Sequence, residues 1–189
     1  MDLIFLRHGK TDWNLSKLLQ GRTDIPLSEE GRQGALKAGK ILQGISFDAV
    51  YCSPLLRTRQ TSKLVLPDVD PILDSRIIEW NFGILEGQPY REEDFQPRWS
   101  LGQPPIEGME QIEDVIARVK DFYEDVRKKH PNGRVLVVSH GGVSGAMHAA
   151  VYGMKKEDNL RRYCLPNSTP VLFRDGQEPI VLGENLYEG

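Results

Sequence analysis

Apolar and polar positions along this chain fall into blocks whose period switches. Leu3-Ile4-Phe5-Leu6 is a continuous apolar run bounded by charge, which predicts a strand over 3–7 buried on both faces. Polar and small residues fill 8–27 and read as a loop. Pro26-Leu27-Ser28-Glu29-Glu30 predicts a helix start, with Ser28 as N-cap and two acids at the positive end of the dipole. That helix runs to about Leu42 through three weakening glycines, Gly31, Gly34 and Gly39. Residues 48–52 predict a second strand. Ser53-Pro54 reads as a cap and a first-turn proline opening a helix that carries Arg57 and Arg59. At least one strand falls in 71–79. The proline-containing stretch 88–108 has no clear period and reads as an irregular cap or broken helix. The clearest helix is 109–129, where Ile112, Val115, Ile116, Val119, Phe122, Tyr123 and Val126 share a face. Asn132-Gly133 marks a turn before a buried strand at 134–139, then a helix from near Gly142 to about Tyr152. Segments 169–174 and 179–187 flank Asp175-Gly176 as a terminal hairpin.

Strands alternating with helices predict an α/β sheet with helices on both faces. Ligands of such sheets bind beyond the carboxyl ends of the strands. Arg7-His8, Ser53 to Arg57 and Ser139-His140 all fall at those ends. The 189 residues suffice for one domain over 1–189, with little room for two. The net charge of −3 argues against nucleic acid or an anionic membrane as partner. No run approaches the ~18 apolar residues of a membrane span, and no signal peptide is evident, so a cytoplasmic location is expected. Cys52 and Cys164 are too few for a disulfide framework.

Arg7, Arg57, His8, His140 and Glu79 are the candidates for chemistry. Two guanidiniums match the oxygens of a phosphate and keep their charge at any working pH. Gly9 and Gly141, each following a histidine, let backbone approach a ligand closely, and Gly141-Gly142 opens a helix whose free N–H groups favour an anion. Neutral imidazole is a competent nucleophile, and attack on phosphorus gives a phosphohistidine. A carboxyl group must then protonate the leaving oxygen and later take a proton from water. Glu79 is the natural choice, with Asp24, Glu86 and Glu107 as alternatives. Arg7 and Arg57 as buried partners of Asp24 or Glu79 is the structural alternative.

Leu6-Arg7-His8-Gly9-x-Thr11-x-Trp13-Asn14 resembles the signature of the histidine phosphatase superfamily, in the branch that includes cofactor-dependent phosphoglycerate mutases. Gln20-Gly21-x-x-Asp24-x-Pro26-Leu27-Ser28, Ser53-Pro54-x-x-Arg57, Glu79-x-x-Phe82-Gly83-x-x-Glu86-Gly87 and Ser139-His140-Gly141-Gly142 resemble the blocks that follow it, in the same order. The resemblance implies a three-layer α/β/α sandwich around a mostly parallel central sheet. It implies His8 as nucleophile, Arg7, Arg57 and His140 holding the phosphoryl group, and Glu79 as general acid and base. Asn14, Gln20, Gly21 and Gly141 would contact phosphate or substrate. It implies no metal and no cofactor.

The chain departs from that pattern in places. Gly108-Met109-Glu110-Gln111 stands where phosphatases of the branch often carry Gly-Gly-Glu-Ser. Mutases are usually longer between the positions of Gly87 and Gly108, which favours a phosphatase of a small phosphorylated metabolite. A phosphoglycerate mutase and a catalytically silent phosphate-binding module are the other readings. Arg91, Arg98, Trp99 and the loop near Met109 are the expected specificity region. Asn14 and Gln20 serve equally well as loop braces, and Trp13 and Trp80 rim the pocket or join the core. His130 reads as a helix-end residue, while His148 lies two turns beyond His140. The hairpin edge offers a surface for a homodimer.

Overall fold

The computed structural model describes residues 1–155 and 157–183, with Asp94 described by its backbone alone. In chain order the main elements are β1 (Asp2–Arg7), α1 (Asp12–Leu15), α2 (Glu29–Leu42), β2 (Ala49–Cys52), α3 (Leu56–Val65) and β3 (Ile72–Leu73). Then come α4 (Glu92–Phe95), α5 (Ile112–Lys129), β4 (Arg134–Ser139), α6 (Gly141–Tyr152), β5 (Pro170–Arg174) and β6 (Gln177–Val181). The six strands form one sheet in the order β3-β2-β4-β1-β5-β6. β3, β2, β4 and β1 pair in parallel, while β5 and β6 each run antiparallel to the strand before them in the sheet.

Period-two alternation divides the apolar runs between two cores. Leu3, Phe5, Val135, Val137, Val171 and Phe173 pack with the α5 stripe and with Val143, Ala146 and Met147 of α6. Ile4, Leu6, Val50, Cys52, Leu136 and Val138 face the other way, onto Ala35, Ala38 and Leu42 of α2 and Val65 of α3. The result is the expected three-layer sandwich. Because both faces are covered, the central strands are apolar throughout rather than alternating. Among the described residues no helix is long and apolar enough to cross a membrane.

Three starts differ from expectation. α3 begins at Leu56, not after Ser53-Pro54. Asp24, from the distant 8–27 segment, accepts the Leu56 N–H at 2.7 Å and so supplies the cap that Ser53 was expected to provide. α5 begins at Ile112 rather than at 109, because Met109 bridges antiparallel to Phe82 and keeps that segment extended. The 8–27 loop contains α1, a single turn held by a reciprocal Thr11–Asn14 cap; it buries no residue, so no apolar period announces it. A 3-10 turn at Leu160–Tyr163 likewise escapes the pattern. The 88–108 stretch is a broken helix, α4 running into a 3-10 turn. The terminal hairpin is present as β5 and β6, and its expected last part, 184–187, lies outside the described residues. β6 lies at the sheet edge and carries Pro179, which has no N–H to offer a neighbour.

Candidate active site

The parallel register ends three strands level with one another. Arg7 lies opposite Ser139, and Cys52 opposite Val138. The next residues, His8, His140 and Ser53, therefore emerge together, tied by His8 N–H to Ser139 O (2.9 Å) and Ser53 N–H to Val138 O (3.0 Å). The His8 and His140 rings meet edge-on with centroids 5.2 Å apart.

Two contacts set the His8 tautomer. Nδ1 lies 2.6 Å from the Gly9 carbonyl, which only accepts, so Nδ1 carries the proton. Arg57 Nε, which only donates, lies 3.3 Å from His8 Nε2, so that atom presents its lone pair. Burial first, then the charges of Arg57 and Arg7, hold the His8 pKa well below the ordinary imidazole value. His140 is lowered in the same way by burial, Arg57 and His8. Both rings are therefore neutral at pH 7. His140 Nε2 lies 2.7 Å from Ser53 Oγ, and its Nδ1 is buried with no partner. His140 stands behind His8 and is not part of the cavity wall.

Arg57 is wholly buried. It donates from Nη1 to Thr23 O (3.0 Å) and from Nη2 to Gly21 O (2.7 Å). Burial lowers its pKa to about 10, which leaves it charged at pH 7. Arg7 donates from Nη1 to Leu165 O at 2.8 Å, and its buried Nε has no partner. Neither guanidinium forms an ion pair among the described residues, and Asp24 is occupied at α3 instead. The ion-pair alternative for these arginines is thereby corrected. Glu79 accepts from Trp80 N–H at 2.9 Å through Oε1 and from Gly142 N–H at 3.3 Å through Oε2, at the start of α6. A Cβ on Gly142 would lie 2.6 Å from Glu79 Oε1, so this close approach requires glycine. Gly21 is also constrained: its φ is +53°, and a Cβ there would run into the Glu86 carboxylate.

These groups border a cavity of about 520 Å³. Arg7, His8, Asn14, Gln20, Gly21, Arg57, Glu79 and Gly141 all line it. Asn14 does so while also capping α1, and Gln20 Oε1 is buried without a partner. Glu86 takes no free place in the site. Its carboxylate accepts the N–H groups of Arg22, Thr23 and Phe82 and clamps the turn that holds Arg57. His130 sits at the end of α5 on the Tyr51 hydroxyl, and His148 stacks on Tyr163; both lie away from the cavity.

The specificity region is placed differently from expectation. Trp99 lines the cavity, but Arg91, Arg98 and Met109 do not; Arg98 bonds to Pro104 O instead. Trp13 and Trp80 do not line it either, and Trp80 is a core residue. Lys17, Tyr90, Glu92, Phe95 and Arg161 are among the wall residues that local pattern missed. Glu110 survives in the divergent Gly-Met-Glu-Gln block for a physical reason. It accepts from Arg118 Nε (2.8 Å) and Arg22 Nη2 (3.1 Å), while Arg118 and Arg22 also donate to the Glu79 carbonyl. That network fixes the backbone that carries the Glu79 carboxylate.

Two imidazoles kept neutral by burial make stability depend on pH. The unfolded chain binds protons on these histidines near pH 6.5 and the folded chain does not, so stability is full above 6.5 and falls as pH drops. The slope reaches at most about 1.4 kcal/mol per pH unit per imidazole. Urea midpoints measured from pH 7.5 to 5 are expected to fall below 6.5, and His140→Gln is expected to flatten that decline. A slope unchanged in the variant would remove His140 as a source.

The histidine phosphatase superfamily (branch 1) profile matches residues 3–185. Phosphoserine phosphatase 1 of Hydrogenobacter thermophilus is 33% identical over 194 residues, spanning 97% of this chain and 92% of that protein. A 2,3-bisphosphoglycerate-dependent phosphoglycerate mutase of Bartonella bacilliformis is 29% identical, spanning 98% of each. The crystal structure of the Entamoeba histolytica phosphoserine phosphatase in complex with 3-phosphoglyceric acid superposes with a TM-score of 0.82 at 27% identity, covering 95% of this chain and 94% of that one. With the family profile spanning nearly the whole chain, this protein belongs to branch 1 of the histidine phosphatase superfamily.

Proposed function

We propose that the protein is a metal-independent phosphomonoesterase of a small phosphorylated metabolite, working through a phosphohistidine on His8. The observation that carries this reading is the unprotonated Nε2 of a neutral His8, which accepts from Arg57 Nε at 3.3 Å in a cavity that Arg7 also lines. Arg7 and Arg57 bind the phosphoryl oxygens, helped by Gln20 and by backbone at Gly21 and Gly141; Asn14 borders the same space. His8 Nε2 attacks phosphorus as the ester P–O bond breaks, and Glu79 gives its proton to the departing oxygen. Glu79, now a carboxylate, takes a proton from water as that water attacks the phosphohistidine. The P–N bond breaks, its electron pair returns to Nε2, and inorganic phosphate leaves. His140 supplies the second imidazole as a support and not, as expected, as a holder of the phosphoryl group: wholly buried on Ser53 and edge-on against His8, it keeps the His8 ring in line for attack. We read 1–189 as one catalytic domain. Its two free thiols suit a reducing cytoplasm.

The mutase reading is favoured by one observation, the near full-length likeness to the Bartonella mutase. The two differ in the fate of the phosphoenzyme, which a phosphatase passes to water and a mutase returns to a sugar acid. Phosphate release from phenyl phosphate at pH 5–8 with excess chelator tests both. Chelator-resistant release in multiple turnovers is expected. No release, with protein-bound acid-labile phosphate acquired from bisphosphoglycerate, would replace the phosphatase with the mutase.

A further inference from the structure

The peptide that follows His8 is held from both edges by side chains that do not line the cavity. Gly9 has to be glycine, because a Cβ there would lie 2.2 Å from the Gly31 carbonyl oxygen in the first turn of α2. Glycine brings backbone freedom, and it does so where the carbonyl accepts from His8 Nδ1 at 2.6 Å. That carbonyl matters to the chemistry. A proton kept on Nδ1 leaves the lone pair on Nε2, and the bond sets the direction of the ring. A Gly9 carbonyl free to turn would do neither.

Distant segments remove that freedom. The His8 carbonyl accepts from Asn167 Nδ2 at 2.9 Å. At the other edge of the same peptide, Gly9 N–H donates to Thr61 Oγ1 at 3.0 Å. Further along, the Lys10 carbonyl accepts the Ser28 N–H at 3.0 Å and its hydroxyl at 3.1 Å. The Gly9 carbonyl thus lies between two anchored peptides. Asn167 is itself tied to β1, since the next residue, Ser168, donates its N–H to Arg7 O at 3.0 Å. Thr61 lies on α3, one turn beyond Arg57. Its single hydroxyl proton goes to Arg57 O at 2.7 Å, which leaves a lone pair for Gly9 N–H. Arg57 Nε in turn donates to His8 Nε2. The contacts close a circuit from the His8 ring through Gly9, Thr61 and Arg57 back to the His8 ring. Thr61 is wholly buried, and neither it nor Asn167 borders the cavity.

Resting on the reading of His8 as nucleophile, we propose that Thr61 and Asn167 are positioning residues: they hold the His8–Gly9 peptide so that the Gly9 carbonyl keeps the proton on Nδ1 and Nε2 stays aimed at phosphorus. Neither touches substrate. Each acts through the backbone, and Thr61 also joins the nucleophile to the helix that delivers Arg57.

The His8 Nδ1 proton is the direct reporter. In protein carrying isotope-labelled histidine, its short bond is expected to give a far-downfield proton signal. Thr61→Val keeps the side-chain shape, removes the hydroxyl and leaves Gly9 N–H without an acceptor. That signal should then move upfield and exchange faster with water, and kcat/KM for phenyl phosphate should fall by about 10²-fold, the scale of a misaimed nucleophile. Thr61→Ser keeps the hydroxyl and should restore both. Asn167→Ala, at a partly exposed position, should shift the signal in the same direction and remains informative if Thr61→Val fails to fold. The Kd for inorganic phosphate, read by calorimetry, should stay near the parent value throughout, because Arg7 and Arg57 are kept. Ser62→Ala removes a neighbouring buried hydroxyl that has no partner and should leave signal and rate intact. A signal that does not move in a variant would remove that residue from the positioning role, whatever happens to the rate. A parent without the downfield signal, or a phosphate affinity that falls in step with the rate, would overturn the proposal as a whole. A signal that responds as expected in a parent unable to turn over phenyl phosphate would leave the positioning intact and remove the phosphatase reading instead.

Discussion

Replacing His8 with alanine is expected to lower kcat/KM for phenyl phosphate by at least about 10⁴-fold, because the one thiol lining the cavity among the described residues, Cys164, is kept protonated by burial, its pKa pushed up to about 12. Arg7 and Arg57 remain in the variant, so phosphate still binds and some electrostatic acceleration persists. The loss therefore falls on kcat more than on KM. Two neighbours are poor substitutes. His140 lies behind His8 and does not reach the cavity wall. Ser53 is buried, with its hydroxyl against His140. Acid-labile label from a radioactive ester should appear on the parent protein after rapid quenching and be absent from His8→Ala. His140→Ala should lose only about 10²-fold, the scale of a nucleophile set slightly out of line, and should still trap label. Label retained by His8→Ala, or a rate within tenfold of the parent, would show that the nucleophile is another group.

How far the site was legible depends on whether its residues leave a local trace. His8 and His140 do, since each ends an apolar run and precedes glycine, and a parallel register then brings the ends of those runs together. Helix α5 is equally readable, because its buried residues repeat at 3.6. Arg57 lines the cavity, although its helix starts later than Ser53-Pro54 suggests. The cap comes from Asp24, 32 residues earlier, and nothing in Ser53-Pro54 reports that tertiary partner. The wall residues are harder still. Lys17, Tyr90, Glu92 and Arg161 come from a left-handed turn, a bridge, a one-turn helix and a 3-10 turn, none of which has a period. Arg91 and Arg98 looked better placed for substrate, yet each serves the cap itself, as the residue before α4 and as a donor to Pro104. Chemistry tied to strand ends is thus readable from pattern, and specificity built by irregular segments is not.

Glu79→Gln separates the two halves of the proposed cycle. Glutamine keeps the shape, and its Oε1 can still accept from Trp80 or Gly142, so the variant should fold as the parent does. It cannot give or take a proton. With a phosphorylated alkyl alcohol, whose oxygen must be protonated to leave, kcat/KM is expected to fall by about 10²–10⁴-fold. With 4-nitrophenyl phosphate the leaving oxygen departs as a stable anion, so the first step is nearly spared. The second step still needs a base to deprotonate the attacking water. The variant should therefore release one burst of nitrophenolate per enzyme and then turn over slowly, with phosphorylated His8 accumulating. Glu86→Gln is the informative contrast. Its carboxylate accepts three backbone N–H groups that position the Gly21–Thr23 turn, so a loss there strikes alkyl and aryl esters alike and gives no burst. Equal losses on both esters in Glu79→Gln would demote Glu79 to the same positioning role, and a burst from Glu86→Gln would transfer the acid–base assignment to Glu86.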